Sequence, residues 1–142
     1  IDDYIAGFAE DPGKPPLDEH RHLIDRHFAA ASVADIIAGL DAEDGYWAIE
    51  TADDLREKSP ISLRVTHRLL RDGHGLDFDA LMRLEYRIAS AFLQGRDFFE
   101  GIRAAVIDKD RKPKWAPARL EDVDDETTAT YFAPVEPELD LD

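Results

Sequence analysis

Cysteine is missing from all 142 positions of this chain, which excludes disulfides, thiolate metal sites and a cysteine nucleophile. That composition fits a reducing compartment. Cations are scarce: 17 Lys and Arg stand against 32 Asp and Glu, a formal charge of -15. Binding a nucleic acid needs a basic footprint to neutralise phosphates, so that class of partner is excluded. No apolar run approaches the length of a membrane span, and no signal-peptide pattern opens the chain. Sustained strand alternation, internal repeats and low-complexity stretches are missing too. The first residue is Ile1 rather than Met, which points to a piece of a longer protein.

What is present is helical periodicity, over a length that supports one core. Residues 1–16 read as a leading segment: Tyr4, Ile5 and Phe8 can pack, but Asp11-Pro12-Gly13-Lys14-Pro15-Pro16 excludes regular structure. Leu23, Ile24 and Phe28 then recur at helical spacing. Ser32 predicts the N-cap of a helix with Val33, Ile36, Ile37 and Leu40 on one face, ended by Gly39 and the run 41–45. Residues 46–58 give another amphipathic stretch. Ser59-Pro60 opens the next helix, lined by Ile61, Val65 and Leu69 and broken at Gly73-His74-Gly75.

Asp77 predicts a further cap, with Leu76 and Leu81 as its hydrophobic staple. Phe78, Leu81, Met82, Ala89 and Phe92 form the expected buried stripe of that helix, which Gly95 ends. Asp97 and Glu100 have capping-box spacing for a helix reaching about Asp108. Beyond Arg119 there is no Lys or Arg, only an acidic tail with a short helix at 124–131. The expectation is an all-α fold of about six helices, with a helical domain over 17–119 and the tail over 120–142.

The chemistry-bearing residues do not assemble into a catalytic set. His20, His22 and His27 cluster in sequence, but on a helix His20 and His27 are about 10 Å apart along the axis. That separation is too great for both to ligate one ion, so no metal site is expected. Glu85 falls on the apolar stripe; a structural ion pair with Arg64 or Arg103 outweighs a general acid–base role, because no second acid or nucleophile matches it. Ser32, Ser59, Ser62 and Ser90 have no nucleophile-elbow setting, and Gly73-His74-Gly75 is too short to cradle phosphate. Lys109, Arg111, Lys112 and Lys114 gather where cations complement a helix C-terminus. They suit either charge compensation there or the phosphates of a nucleotide-like ligand.

Four segments, Ser59-Pro60-Ile61-Ser62-Leu63, Leu84-Glu85-Tyr86-Arg87, Gly95-Arg96-Asp97-Phe98 and Glu100-Gly101-Ile102-Arg103-Ala104, carry a family likeness in their order and spacing. With Asp108-Lys109-Asp110 and Lys112-Pro113-Lys114-Trp115, they resemble the C-terminal signature of the crotonase (enoyl-CoA hydratase/isomerase) superfamily. The 3-hydroxyisobutyryl-CoA hydrolase branch is the nearest in pattern. The likeness runs from about Ser59 to Trp115 and, more weakly, back to about Leu17.

This resemblance implies an enzyme that hydrolyses 3-hydroxyisobutyryl-CoA in valine breakdown, with no cofactor other than the coenzyme A of its substrate. It implies a core of ββα units upstream, carrying the oxyanion hole and the catalytic carboxylates, so no catalytic residue maps onto this chain. It implies that Lys109, with Arg111 and Lys112 beside it, meets the coenzyme A phosphates. Asp110 departs from the superfamily's Lys-Arg-Lys run and puts an anion next to that position. In the family, the C-terminal helices cover the active site and carry much of the subunit interface. The implied partners are therefore the acyl-CoA, the missing core and a second copy, with no nucleic acid and no membrane. The implied compartment is the cytoplasm in a bacterium and the mitochondrial matrix in a eukaryote. Two rival readings are the same region of an enoyl-CoA hydratase or isomerase, and a free-standing helical interaction domain.

Overall fold

Seven α-helices and no strand form among the described residues of the computed structural model, which are 4, 7–9 and 13–141. Ile5 and the Asp11-Pro12 step lie outside them. A 3-10 turn over Pro16–His20 leads into α1 (Arg21–His27), α2 (Val33–Asp41) and α3 (Tyr46–Glu57). Then come α4 (Pro60–Asp72), α5 (Phe78–Gln94) and α6 (Arg96–Ile102), the last continued by a π-helical turn over Arg103–Ile107. After an irregular strap and a 3-10 turn, α7 (Asp125–Thr130) closes the order.

Side-chain caps set the starts of α2, α4 and α5 as the sequence predicts, and Asp124 caps α7 in the same way. Backbone amides of Asp35, Ser62, Ala80 and Thr127 donate to Ser32, Ser59, Asp77 and Asp124, satisfying donors that a helix start leaves unpaired. Pro60 occupies the first turn of α4, where its missing amide hydrogen costs nothing.

Two apolar clusters hold the chain together. In the first, Ile36 and Leu40 of α2 meet Ala48 and Ala52 of α3; the two alanines leave room for the helices to pack closely. In the second, Ile61 and Val65 of α4 meet Ile88 of α5 and Val123. The acidic C-terminal residues complete this second cluster. Tyr131 packs on Phe92 with ring centroids 4.7 Å apart, Arg68 lies over the Phe132 ring, and Arg87 holds Glu138 through both carboxylate oxygens. The Arg64 guanidinium donates to the Val123 carbonyl oxygen.

Three sequence expectations need correction. Gly39 lies inside α2 rather than ending it, and its lack of a side chain makes room for the His27 ring: an added Cβ would come 2.4 Å from His27 Nδ1. The Asp97–Glu100 capping box does not form. Gly95 stands at the N-cap of α6, and both carboxylates serve tertiary partners instead. On α5, Ile88 is the buried residue, while Phe78 and Ala89 are exposed. The face of α5 that the core covers is therefore rotated from the expected stripe.

Candidate anion-binding turn and apolar groove

The π-helical turn after α6 ends in a tight loop, residues 108–112. Lys109 and Arg111 both have φ near +55° (56° and 55°). For residues with a side chain this left-handed backbone costs roughly 1–2 kcal/mol each. The Arg111 amide donates to the Ala104 carbonyl over 3.1 Å, and the Lys112 amide donates to Asp110 Oδ1 over 2.8 Å. Lys109, Arg111 and Lys112, the three cations singled out from sequence, are thus brought together on one turn and are all exposed.

Arg103 is the centre of this turn, a role that the sequence pattern did not reveal. Its Nε and Nη2 grip Glu100 at 3.0 and 2.8 Å, and Nη1 donates to Asp108 and Asp110 at 2.7 Å each. Nη2 also donates to the Lys112 carbonyl at 3.1 Å. The guanidinium and the Lys114 amide together hold the Glu100 carboxyl down at about 2, against an ordinary 4.5. Asp110 is lowered in the same way, by Arg103 first and the Lys112 amide second. Carboxylates at 100, 108 and 110 flank this arginine in the sequence, but their spacing alone does not show that one guanidinium gathers all three.

From this turn a strap returns along α6. Lys114 donates its amide to Glu100 over 2.6 Å, and Trp115 Nε1 donates to the Glu57 carbonyl over 2.8 Å, reaching the end of α3. The Ala116 amide donates to the buried Asp97, which also takes the Ser59 hydroxyl at 2.6 Å. Trp115, Ser59 and Asp97 form part of the wall of a wide groove of about 1080 Å3 between the two apolar clusters. Phe28, Leu70, Leu93 and Phe98 also line it, each of them exposed. No sequence pattern marks the groove, because it is made by residues of five helices, α2 to α6, together with Phe28 and Trp115.

The other candidates scatter. His20 stacks on Trp47 at 4.7 Å, and His27 Nε2 meets Glu43 Oε1 at 2.7 Å. His67 lies 3.2 Å from the Ala30 carbonyl. No group of three metal-ligating side chains forms among the described residues. Glu85 is exposed, and the arginines considered for it are engaged elsewhere: Arg64 with Val123 and Asp125, Arg103 with the turn. The expected structural ion pair of Glu85 therefore does not form among the described residues.

The sequence pattern of the enoyl-CoA hydratase/isomerase family matches residues 1–132. The chain belongs to that family. It is 42% identical over 133 residues to mitochondrial 3-hydroxyisobutyryl-CoA hydrolase of Mus musculus, covering 93% of this chain and 34% of that protein. Against the Danio rerio protein of the same name it is 36% identical over 142 residues, 99% of this chain and 37% of that one. The chain therefore spans about a third of the length of the curated relatives it matches, in their C-terminal part.

Two solved structures agree in fold. A carnitinyl-CoA dehydratase from Mycobacterium thermoresistibile matches with a TM-score of 0.91 and 41% identity, over 99% of this chain and 40% of that one. An enoyl-CoA hydratase from Rhodobacter sphaeroides matches with a TM-score of 0.80 and 36% identity, over 96% and 43%. No helix among the described residues is long and apolar enough to cross a membrane.

Proposed function

We propose that this chain is the C-terminal helical region of an acyl-CoA thioester hydrolase acting on 3-hydroxyisobutyryl-CoA. In the whole enzyme it covers the active site, contacts coenzyme A and packs subunits together; alone it is inactive. The observation that carries this reading is the 42% identity to a 3-hydroxyisobutyryl-CoA hydrolase over 93% of the chain. Thioester hydrolysis requires donors for the carbonyl oxyanion and a positioned acid or base, and no such set is assembled among the described residues. The chemistry belongs to the remainder of the enzyme.

Within this reading, Lys109, Arg111 and Lys112 meet the phosphates of coenzyme A as exposed cations, and the substrate brings the coenzyme with it. The open apolar groove supports a covering role, since an apolar wall of this size is seldom left facing water. The compartment follows the host: the matrix in a eukaryote, as the relatives' names indicate, and the cytoplasm in a bacterium.

A second reading keeps the family and changes the reaction to hydration or dehydration of an enoyl-CoA. The names of the two solved neighbours favour it. Release of free thiol from 3-hydroxyisobutyryl-CoA by the full-length enzyme, set against hydration of crotonyl-CoA, separates the two. The hydrolase reading expects thiol release by the full-length enzyme and none by these 142 residues alone. Hydration without thiol release overturns it, as does turnover by the isolated chain that one substitution abolishes.

A further inference from the structure

An arginine offers five N–H donors in a planar fork, and Arg103 uses that capacity in full. One bond goes from Nε to Glu100, two from Nη1 to Asp108 and Asp110, and two from Nη2 to Glu100 and the Lys112 carbonyl. This concentration has a purpose for the cations beside it. Asp110 sits between Lys109 and Arg111 in sequence, and Asp108 precedes Lys109. Left to itself, either carboxylate would pair with those cations and cancel them. Instead Arg103 binds both, and none of Lys109, Arg111 and Lys112 makes a close ion pair among the described residues; Lys112 meets Asp110 through its backbone amide, its charge acting only from farther off.

We propose that Arg103 is the positioning residue of the 108–112 turn, drawing Asp108 and Asp110 onto its guanidinium so that Lys109, Arg111 and Lys112 remain available to a phosphorylated nucleotide. The proposal rests on the reading of that turn as a coenzyme A contact. It also accounts for the two left-handed residues. Their φ values of 56° and 55° fold the chain back so that the Asp110 carboxylate and the Lys112 carbonyl both reach one guanidinium. Lysine cannot substitute: it keeps the charge but has three donors on a single point and no fork.

The test uses Arg103→Lys and Lys109→Ala in the full-length enzyme. Two substrates are compared: the whole acyl-CoA, and a pantetheine thioester lacking the nucleotide. Arg103→Lys should raise KM for the acyl-CoA about five- to tenfold with kcat nearly unchanged, the signature of lost binding rather than lost chemistry. It should leave the pantetheine thioester unaffected. Amide exchange at Arg111 and Lys112 should accelerate about tenfold as the turn loosens. Adding Asp110→Asn to Arg103→Lys should recover part of the KM, since the released anion is then removed.

Equal losses on both substrates, or unchanged exchange and KM, would overturn the proposal. If Lys109→Ala leaves KM for the acyl-CoA unchanged, the coenzyme A reading itself falls, and the positioning role with it. If Lys109→Ala raises KM selectively and Arg103→Lys does not, the positioning role alone falls.

Discussion

The Ser59 hydroxyl donates to the buried Asp97 carboxylate across 2.6 Å, joining the first residue before α4 to the first turn of α6. Asp97 takes the Ala116 amide on its other oxygen at 3.0 Å, so one carboxylate fixes two helices and the strap. Ser59 also caps α4, which makes the pair a joint between local and tertiary structure.

Asp97→Ala should therefore be among the costly substitutions in this chain. It leaves the buried Ser59 hydroxyl and the Ala116 amide without their acceptor, at about 2–3 kcal/mol. Asp97→Asn, which keeps the shape and one acceptor oxygen, should cost less. Denaturant melts of both variants check the order. Equal midpoints for the wild type and Asp97→Ala would contradict the role assigned to this joint.

Gly39→Ala presents a conflict between helix propensity and packing. Alanine is favoured over glycine in a helix interior by about 1 kcal/mol. Against that, the new methyl would lie 2.4 Å from His27 Nδ1, and the ring is held in place by Glu43 on its far nitrogen. Overpacking of this kind costs about 1–3 kcal/mol, so the net effect should be destabilising. A higher melting temperature for Gly39→Ala would show that His27 moves aside freely.

Acid should loosen the basic turn only at low pH. The Glu100 carboxyl is depressed from 4.5 to about 2 by Arg103 and the Lys114 amide. A depressed carboxylate contributes stability that is whole above its unfolded value and is lost as pH falls through its folded value. The window is therefore between about pH 4.5 and about pH 2. Glu43, Asp110 and Glu138 are lowered by arginine or histidine partners and act in the same direction. Glu100→Gln should flatten the acid limb of a stability–pH profile. An unchanged acid limb in that variant would remove Glu100 from the account.

Removed from the rest of the enzyme, the chain should self-associate or bind an apolar dye. Its groove exposes Leu70 at 72% and Leu93 at 56%, and Phe98 and Phe99 stand beside each other, both exposed. Phe92, expected on the buried stripe of its helix, packs against Tyr131 in the second cluster and also borders the groove. Sedimentation over a range of concentrations, with dye binding, decides this. A monomer at all concentrations that binds no dye would count against a covering role.

Caps and helix-breaking residues make the architecture legible in the amino-acid sequence. Ser32, Ser59 and Asp77 act on amides three residues away, so their effect is written locally. The same local rule misled at Asp97 and Glu100, which have capping-box spacing but find stronger partners 38 and 14 residues away in Ser59 and Lys114. The rotation of the α5 stripe escaped for a related reason. Which face is covered depends on Val123, Tyr131 and Phe132 arriving from the far end of the chain. Of the candidate site, the cations were legible as a cluster in sequence. Arg103 was not, because its five bonds depend on two left-handed residues that neither glycine nor asparagine marks.

The role of the turn is tested most directly by Lys109→Ala in the full-length enzyme, assayed with the acyl-CoA and with the pantetheine thioester. Lys109 is exposed, so solvent screening limits its contact to the lower range for a charge-assisted bond. KM for the acyl-CoA should rise about three- to tenfold with kcat nearly constant, and the rise should shrink with added salt. The pantetheine thioester should not distinguish the variant from the wild type. If both substrates suffer equally, or if neither does, Lys109 does not meet the nucleotide and the basic turn is only a solvated helix end.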